Sequence, residues 1–395
     1  MTRLILTVPQ VFDGSDMRSD HAVVIEAGEI TALLPIDQAP DGPRQTLSGT
    51  LAPGLIDLQV NGGAGIMLDG TATVQSIATI CAAHARLGAT GILPTLITDT
   101  PAATTAVIAA GIAAAKAKTP GFLGLHLEGP HLDPKRQGAH DPALIRPMTE
   151  ADLAELCAAA SQLPALMLTL APASVSTAQI TKLTQAGAII SLGHTESTYD
   201  QAITATKAGA ACVTHLFNAM SQLGNREPGL VGAVLSGSLH AGVIADGLHV
   251  HPGTLRTALA ARQDGLFLVS DAMAVAGTNL TEFTLGSRKI LRQNGRLLLA
   301  DGTLAGADLS LPHAVAFLIT QLGQAPTRAL AMATSIPSRL IGANAGQLRP
   351  GTPADLVHFD ANWGLNGVWK NGTRLSPNPA QISAELALAP PPTPR

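Results

Sequence analysis

Polar side chains stand at the ends of several apolar runs of the sequence, and three of them form a set that binds metals. Glu128 ends the run GFLGLHLE, His194 follows AGAIISLG, and His215 lies within CVTHLF. One carboxylate and two imidazoles can hold a catalytic zinc ion and leave a fourth position open. A strand-end carboxylate can instead cap a helix, and a lone histidine can be a core residue. The three together predict a metal site.

A further carboxylate, Asp271, ends the apolar run GLFLVSDA and is not required as a ligand. A carboxylate beside a metal ion can take a proton from water and return it to a leaving group. The structural alternative is a cap for the turn that follows. Asp271 is therefore the candidate general acid and base.

These side chains lie far apart in the sequence, so the fold must bring the ends of several strands together. From Leu51 onward, apolar strand-like runs alternate with alanine-rich helical stretches, which predicts a parallel sheet covered by helices. Eight such runs predict an α/β fold of the (β/α)₈ barrel type, with catalytic groups at the carboxyl ends of the strands. The predicted strands lie near residues 51–60, 89–96, 121–128, 165–172, 186–193, 212–217, 240–247 and 265–272.

Both ends of the chain alternate in short apolar runs, which indicates antiparallel strands. We therefore expect residues 1–51 and 345–385 to form one small β-sandwich domain. Residues 52–344 are then expected to form the barrel. The tail that ends in PPPTPR is expected to be mobile.

The segment after the eighth run is predicted to leave the barrel pattern. The sequence EFTLGSRKILRQNGRLLLADG indicates an inserted hairpin that turns at Asn294 and Gly295. Two helical stretches are predicted to follow it, near residues 309–322 and 326–340.

Composition excludes several classes of function. Hydrophobic residues make up 46% of the 395 residues and charged residues 13%, as in a folded globular chain. The net charge of −4 and the 3% of aromatic residues argue against nucleic-acid binding. The most apolar helical stretch, residues 102–117, is mostly alanine and threonine, contains Lys116 and is too short to span a membrane.

Cysteine usage and the start of the chain favour the cytoplasm. Cys81, Cys157 and Cys212 form no CxxC pair, so neither a disulfide framework nor a thiolate zinc site is expected. Pro9 and Asp13 interrupt the first segment before a signal-peptide core could form. We expect a cytoplasmic protein with no membrane partner.

Eight motifs follow one another between Ala52 and Asp308. They are PGLIDLQVNGGAG, LHLEGPH, QGAHDP, SLGHTES, THLFNAMSQLGNREPG, ADGLHV, SDAMAVAG and GTLAGA. In this order they resemble the N-acetylglucosamine-6-phosphate deacetylases of the amidohydrolase superfamily. The resemblance implies a barrel with a β-sandwich built from both chain ends, and a homodimer.

The same resemblance implies a role for each of the chemical residues. Glu128, His194 and His215 would hold one divalent metal ion, with Zn²⁺ favoured and Fe²⁺, Co²⁺ or Mn²⁺ as alternatives. Asp271 would be the catalytic acid and base, which deprotonates the attacking water and then protonates the amine.

Strand one departs from a pattern common in the superfamily. Many amidohydrolases end this strand with His-x-His and bind a second metal there, whereas this sequence has Gln59 and Asn61. Amide side chains bring neither negative charge nor a basic nitrogen, so they are poor zinc ligands. We therefore expect one metal ion, and a second, weakly held ion at these two residues is the open alternative.

A sugar phosphate requires cationic groups, and Arg226 and His249 are the candidates because arginine matches phosphate geometry. The resemblance implies that Arg226, in the loop NREPG, reaches the phosphate bound by the neighbouring subunit. This loop has Asn225 where the family has glycine. The alternative for Arg226 is a surface ion pair with Glu227.

The resemblance also implies the remaining substrate contacts. His140, in QGAHDP, would donate to the substrate carbonyl and stabilise an oxyanion, and its alternative is an exposed loop histidine. His131 would orient Glu128 or its own loop. SDAMAVAG differs from the commoner family motif TDATAPAG, a change that could alter acyl or sugar tolerance. The other implied contacts are Ala139, Asn218, Ala219, Leu304, Ala305 and Gly306.

Together these residues predict hydrolysis of N-acetyl-D-glucosamine 6-phosphate to D-glucosamine 6-phosphate and acetate, in amino-sugar catabolism and cell-wall recycling. The nearest alternative is the same reaction on N-acetylgalactosamine 6-phosphate, which differs at the sugar 4-hydroxyl. A cyclic amidase or deaminase is disfavoured because His-x-His and a lysine after strand four are missing. A non-catalytic sugar-phosphate sensor would be expected to lack Asp271 or a ligand.

Overall fold

Eight parallel strands form a barrel at the centre of the computed structural model, which describes residues 3–376. Their spatial order follows the chain order from the first strand to the eighth. The barrel closes because the Asp271 N–H donates to the Gln59 carbonyl (3.1 Å) and the Asn61 N–H donates to the Ala272 carbonyl (2.8 Å). The predicted (β/α)₈ fold is confirmed. The strands are β1 (Leu55–Val60), β2 (Ala89–Ile97), β3 (Leu125–Glu128), β4 (Leu166–Leu170), β5 (Ile189–Leu192), β6 (Ala210–Val213), β7 (His240–Val243) and β8 (Leu266–Leu268).

A helix follows each of the first seven strands, and hydroxyl side chains fix where five of these helices begin. Thr73, Thr100, Thr149, Ser176 and Thr198 each accept a hydrogen bond from a backbone N–H of the first turn. Each cap gives the preceding loop a defined end. The helices are α1 (Val74–Arg86), α2 (Pro101–Lys116), α3 (Glu150–Ala160), α4 (Thr177–Gln185), α5 (Tyr199–Lys207), α6 (Gly229–Ser236), α7 (Pro252–Ala261) and, after β8 and an insertion, α8 (Leu311–Thr320).

The second helical stretch predicted after the insertion is divided into two helices. They are α9 (Pro326–Ala333) and α10 (Ser335–Leu340). Pro337 has no N–H to donate to the carbonyl four residues earlier, so one continuous helix would lose a hydrogen bond here. Thr334 lies between the helices with non-helical backbone angles, and its hydroxyl donates to the Leu330 carbonyl at 2.7 Å.

The main apolar core lies between the barrel strands and the surrounding helices, while polar side chains occupy part of the barrel interior. His126 Nδ1 donates to the Leu58 carbonyl at 2.9 Å, and its Nε2 lies 2.7 Å from the Thr169 hydroxyl. The chain of hydroxyls continues through Thr214 to Ser191, at 2.5 and 2.6 Å. These groups satisfy one another, so the polar residues of β3, β4 and β5 can be buried beneath the site.

The two ends of the chain pair in one small sheet, because Leu356–Phe359 runs antiparallel to Thr50–Pro53. Its apolar cluster includes Trp369 and Val11. The predicted β-sandwich built from both ends is confirmed, while the part predicted for residues 377–385 and the PPPTPR tail lies outside the described residues. The strand order is Thr373–Arg374, Leu365–Lys370, Leu356–Phe359, Thr50–Pro53, Arg3–Phe12, Met17–Glu26 and Glu29–Pro35, with Arg44–Thr46 also paired to Arg3–Phe12.

Four antiparallel strands between β8 and α8 form what we call the inserted sheet. The predicted hairpin is its centre, and Asn294 and Gly295 turn with φ of 50° and 72°. Two outer strands that the sequence analysis did not separate complete it. The sheet packs on the barrel mouth through Ile290 and Leu297, which are fully buried. Its strands are Glu282–Leu285, Arg288–Gln293, Arg296–Leu298 and Leu304–Ala307.

The backbone packs very closely at Gly124, just before β3, so a substitution there tests how near the strands approach one another. At Gly124 (φ 141°), a Cβ would lie 2.0 Å from the Ala165 carbonyl oxygen, whereas at Gly187 (φ 97°) it would meet nothing within 4 Å. Gly187→Ala should therefore lower the free energy of unfolding by about 1–3 kcal/mol, because it adds only backbone strain. Gly124→Ala should lower the thermal unfolding midpoint much further, because backbone must move. Equal midpoints for the two variants would contradict this account.

Candidate active site

The carboxyl ends of the barrel strands surround a cavity of about 370 Å³. Cavities of a few hundred cubic ångströms are typical of small-molecule sites. This one brings together the predicted metal ligands, the predicted acid and base, and most of the implied substrate contacts. Its lining includes Asn61, Glu128, Ala139, His140, His194, His215, Asn218, Ala219, His249, Asp271, Leu304 and Gly306.

Glu128, His194 and His215 converge at the base of the site, although they come from the ends of β3, β5 and β6. Glu128 Oε1 lies 3.3 Å from His194 Nε2 and 3.1 Å from His215 Nε2, and the two nitrogens are 3.1 Å apart. All three side chains are buried. Among residues 3–376, they form the group of potential ligands whose atoms lie within 4.8 Å of one another and could hold one cation.

The hydrogen bonds of these residues fit a divalent metal ion. His194 Nδ1 donates to the Arg136 carbonyl at 2.8 Å, which leaves the lone pair on Nε2. That lone pair faces His215 Nε2, and His215 Nδ1 is buried without a hydrogen-bond partner among the described residues. Burial would raise the pKa of Glu128, but hydrogen bonds and charges of the two histidines lower it well below its usual range. The donor set is that of a catalytic zinc site.

The backbone at three site residues has an unusual conformation. His194, His215 and Asp271 have φ of 46°, 27° and 51°. Positive φ is uncommon for residues other than glycine and costs about 1–3 kcal/mol at each position. Each of these residues follows a barrel strand, and the change of backbone direction lets its side chain line the cavity. The surrounding structure must therefore hold these strand ends in place.

Asp271 is buried, and two amide side chains hold one of its carboxylate oxygens. Asn61 Nδ2 donates to Asp271 Oδ1 at 2.7 Å. Gln59 Nε2 donates to the same oxygen at 3.2 Å and to Glu128 Oε1 at 3.1 Å. The residues at the possible second-metal position are thus hydrogen-bond donors to two carboxylates. Burial and the charge of Glu128 raise the pKa of Asp271 to about 6, in the range that suits proton transfer.

His140 is buried rather than exposed, so the alternative of a solvent-exposed loop histidine is wrong. The Thr98 backbone N–H donates to His140 Nδ1 at 3.3 Å, and the Thr98 hydroxyl lies 2.7 Å from the same nitrogen. Because Nδ1 accepts, the ring proton is on Nε2. Burial lowers the pKa of His140 to about 3, so the ring is neutral. Its ring centroid is 4.3 Å from that of His194, which brings a neutral N–H donor beside the metal ligands.

His249 and Asn218 also line the cavity and are candidates for phosphate and sugar recognition. His249 Nδ1 lies 2.6 Å from Asp246 Oδ2, and Asp246 Oδ1 accepts from the backbone N–H groups of Leu248 and His249. The carboxylate thereby fixes the orientation of the imidazole. Asn218 Nδ2 donates to the His215 carbonyl at 3.2 Å, which ties this loop to a metal ligand.

Two of the implied substrate contacts do not line the cavity. Arg226 is exposed on the loop before α6. Glu227 accepts from the backbone N–H groups of Tyr199 (2.7 Å) and Gly229 (2.9 Å), and within residues 3–376 it forms no ion pair with Arg226. Ala305 is fully buried in the apolar cluster of the inserted sheet. Its side chain therefore packs away from the space that a substrate would occupy.

Sequence reasoning missed other residues that shape the site. Thr98, at the end of β2, orients His140 but carries no ionisable group, so a search for chemistry passes over it. Its place at a strand end was the available signal. Ile97, Met273 and Leu285 form an apolar wall of the cavity, and only the Met273 departure from the family motif drew attention to that region. His131 donates to the Arg146 carbonyl at 3.1 Å, so it orders its own loop.

Comparison with known proteins shows which family the chain belongs to. The model of the Amidohydrolase family matches residues 50–381. The chain belongs to the amidohydrolase family. This superfamily is metal-dependent, and the cluster of Glu128, His194 and His215 can hold the metal. Within residues 3–376, no helix combines the length and the apolar character that crossing a membrane requires.

Individual relatives of this amidohydrolase are similar over almost their whole length. An N-acetylgalactosamine-6-phosphate deacetylase from Shewanella sp. is 37% identical, with 94% of this chain and 96% of the relative covered. An N-acetylglucosamine-6-phosphate deacetylase from Haemophilus influenzae is 31% identical, with 92% and 96% covered. The crystal structure of N-acetylglucosamine-6-phosphate deacetylase from Pasteurella multocida has a TM-score of 0.90 at 29% identity, with 95% and 100% covered. The prediction of a hydrolase of this kind is confirmed.

The convergence of three ligands predicts which substitutions remove the metal. Glu128→Gln should purify with much less divalent metal per chain than the unmodified protein, because it loses the negatively charged ligand. His249→Gln, in the same cavity but outside the cluster, is the matched control and should keep its metal. Elemental analysis after purification measures both. Equal metal content in the Glu128→Gln variant and the unmodified protein would refute the assignment.

Proposed function

We propose that this amidohydrolase hydrolyses N-acetyl-D-glucosamine 6-phosphate to D-glucosamine 6-phosphate and acetate. The observation that carries the proposal is the buried Asp271 carboxylate beside the cluster of Glu128, His194 and His215, in a cavity sized for a small molecule. Relatives that are more than 30% identical over most of the chain are N-acetylhexosamine-6-phosphate deacetylases. Zn²⁺ is the metal that we propose, because the ligands are one carboxylate and two imidazoles.

The residues divide the chemistry of amide hydrolysis among them. A divalent cation held by the three ligands would lower the pKa of a water and polarise the amide carbonyl. Asp271 accepts the proton of the attacking water, and the His140 Nε2–H donates to the carbonyl oxygen as it gains negative charge. Asp271 then gives its proton to the amine nitrogen as the C–N bond breaks. Asn61 and Gln59 hold the carboxylate in place through both transfers.

We propose that phosphate recognition involves a homodimer. His249 lines the cavity, whereas Arg226 of the same chain is exposed on a loop outside it. An arginine presented outward can complete the site of a second copy, where its planar guanidinium suits a phosphate group. Asn218 and Ala219 also line the cavity, and we propose that their backbone contacts the phosphate and sugar.

A second candidate substrate is N-acetylgalactosamine 6-phosphate. The relative with 37% identity is a deacetylase of that sugar, whereas the glucosamine relative from Haemophilus influenzae is 31% identical. The two sugars differ only at the 4-hydroxyl, and the metal ligands and Asp271 would act on either.

The proposed setting is amino-sugar catabolism and cell-wall recycling in the cytoplasm, a reducing compartment that suits the free thiols of Cys81, Cys157 and Cys212.

Acetate release by the metal-loaded protein tests this function. N-acetylglucosamine 6-phosphate should be hydrolysed, and the unphosphorylated sugar should have a kcat/KM lower by about a hundredfold because charged hydrogen bonds are lost. Asp271→Asn should reduce kcat by about a thousandfold and retain its metal. Faster turnover of the galactosamine epimer would assign the second candidate instead. Failure to hydrolyse either 6-phosphate would refute the proposal.

The pKa of Asp271 sets the expected pH dependence. The ionised carboxylate is the form that accepts a proton, so kcat should be full above its pKa and fall as the pH drops through it. That pKa is raised to about 6, and a nearby cation lowers it, so the acidic limb should lie at or below about pH 6. Saturating substrate is needed because phosphate monoesters also titrate near this pH. A kcat that rises on acidification from pH 8 to pH 6 would contradict this role.

A further inference from the structure

One arginine of the inserted sheet reaches the loop that carries His140. Arg288 Nη2 donates to the Ala139 carbonyl at 2.6 Å, across 149 positions of sequence. Arg288 is half-buried on the strand Arg288–Gln293. Charged donors form the stronger hydrogen bonds of proteins, so this contact restrains the residue immediately before His140.

The segment that Arg288 contacts has little regular structure of its own. We call residues 136–140 the histidine loop, and its last four residues lie in neither a helix nor a strand. The Arg136 carbonyl accepts from His194 Nδ1 at 2.8 Å, and His140 Nδ1 accepts from the Thr98 N–H. The histidine loop therefore accepts a hydrogen bond from a metal ligand at one end and carries the neutral donor at the other, with the Arg288 contact between them.

The inserted sheet is also hydrogen-bonded to the backbone of Asp271, the residue that carries the catalytic carboxylate. The Ala307 N–H donates to the Asp271 carbonyl at 2.9 Å. Arg292 makes a two-pronged ion pair with Asp308, at 2.7 and 2.8 Å, and also donates to the Thr278 carbonyl at 2.8 Å. The inserted sheet thus contacts both Asp271 and the residue immediately before His140.

We propose that Arg288 is a positioning residue, which acts through the Ala139 carbonyl to hold the His140 Nε2–H where the substrate oxyanion develops. This inference rests on the proposed deacetylase function. The Arg288 contact would contribute to the reaction by fixing the position of His140, because an oxyanion donor is effective only at hydrogen-bonding distance from the developing charge.

Arg288→Met in the metal-loaded, full-length enzyme tests the inference. The kcat should fall by about tenfold to a hundredfold, with KM changed by less than about threefold, because positioning is lost while the binding groups remain. Arg288→Lys keeps a charged donor and should recover part of the loss. Lys289→Met is the matched control, since Lys289 is the next residue of the strand and its ion pair with Glu282 is exposed. It should leave kcat unchanged.

A double-mutant cycle with His140→Gln separates positioning from a general structural effect. If Arg288 acts through His140, adding Arg288→Met to the His140→Gln variant should lower kcat by less than about threefold. The same factor in both backgrounds would overturn the inference, as would an unchanged kcat in Arg288→Met. A rise in KM confined to the phosphorylated substrate would also overturn it, because Arg288 would then bind phosphate.

Hydrogen–deuterium exchange gives a readout that does not depend on the substrate. Amides of the histidine loop should exchange faster in Arg288→Met than in Lys289→Met, with metal content and unfolding midpoint unchanged. An unmodified protein that hydrolyses neither 6-phosphate would refute the proposed function, whereas this exchange result would still report on the loop. Unaltered exchange in Arg288→Met would refute the positioning role.

Discussion

A buried carboxylate oxygen and two imidazole nitrogens lie within 3.3 Å of one another, and the rest of the active site depends on that convergence. These three atoms would repel one another at this distance unless a bound cation or a proton lies among them. The fold sustains the arrangement by placing His194 and His215 in strained backbone at the ends of β5 and β6. Hydrogen bonds such as that from His194 to the Arg136 carbonyl then hold the rings in the binding orientation.

The side chains that surround the metal-ligand cluster and Asp271 are mostly neutral hydrogen-bond donors, which suits a site with one metal ion. Gln59 and Asn61 donate to the carboxylate oxygens of Glu128 and Asp271 and occupy the position where a second cation would bind. Amide donors orient Asp271 without adding a full positive charge, while burial and the charge of Glu128 raise its pKa to about 6, in the range that suits taking and returning a proton. His140 supplies a neutral donor beside the metal ligand His194. With amide donors in place of a second metal ion, Asp271 can serve as both the general base and the general acid.

The sequence indicated the parts of this site that have a strong local pattern. Apolar runs ending in Glu128, His194 and Asp271 predicted both the barrel and the convergence, because parallel strands align their carboxyl ends. It could not place Ala305, which packs into the inserted sheet, or reveal that Thr98 fixes the His140 tautomer. It also gave no sign of the Arg288 contact. Those features depend on long-range packing, which neither periodicity nor residue type encodes.

The stoichiometry of metal-dependent activity tests the central claim most directly. The purified protein would be stripped with a chelator and then titrated with Zn²⁺, while bound metal and acetate release are followed together. The account predicts negligible activity in the stripped protein and recovery that is complete at about one equivalent, because one open site is held by three ligands. Full activity in demonstrably metal-free protein, or recovery that requires two equivalents, would contradict it.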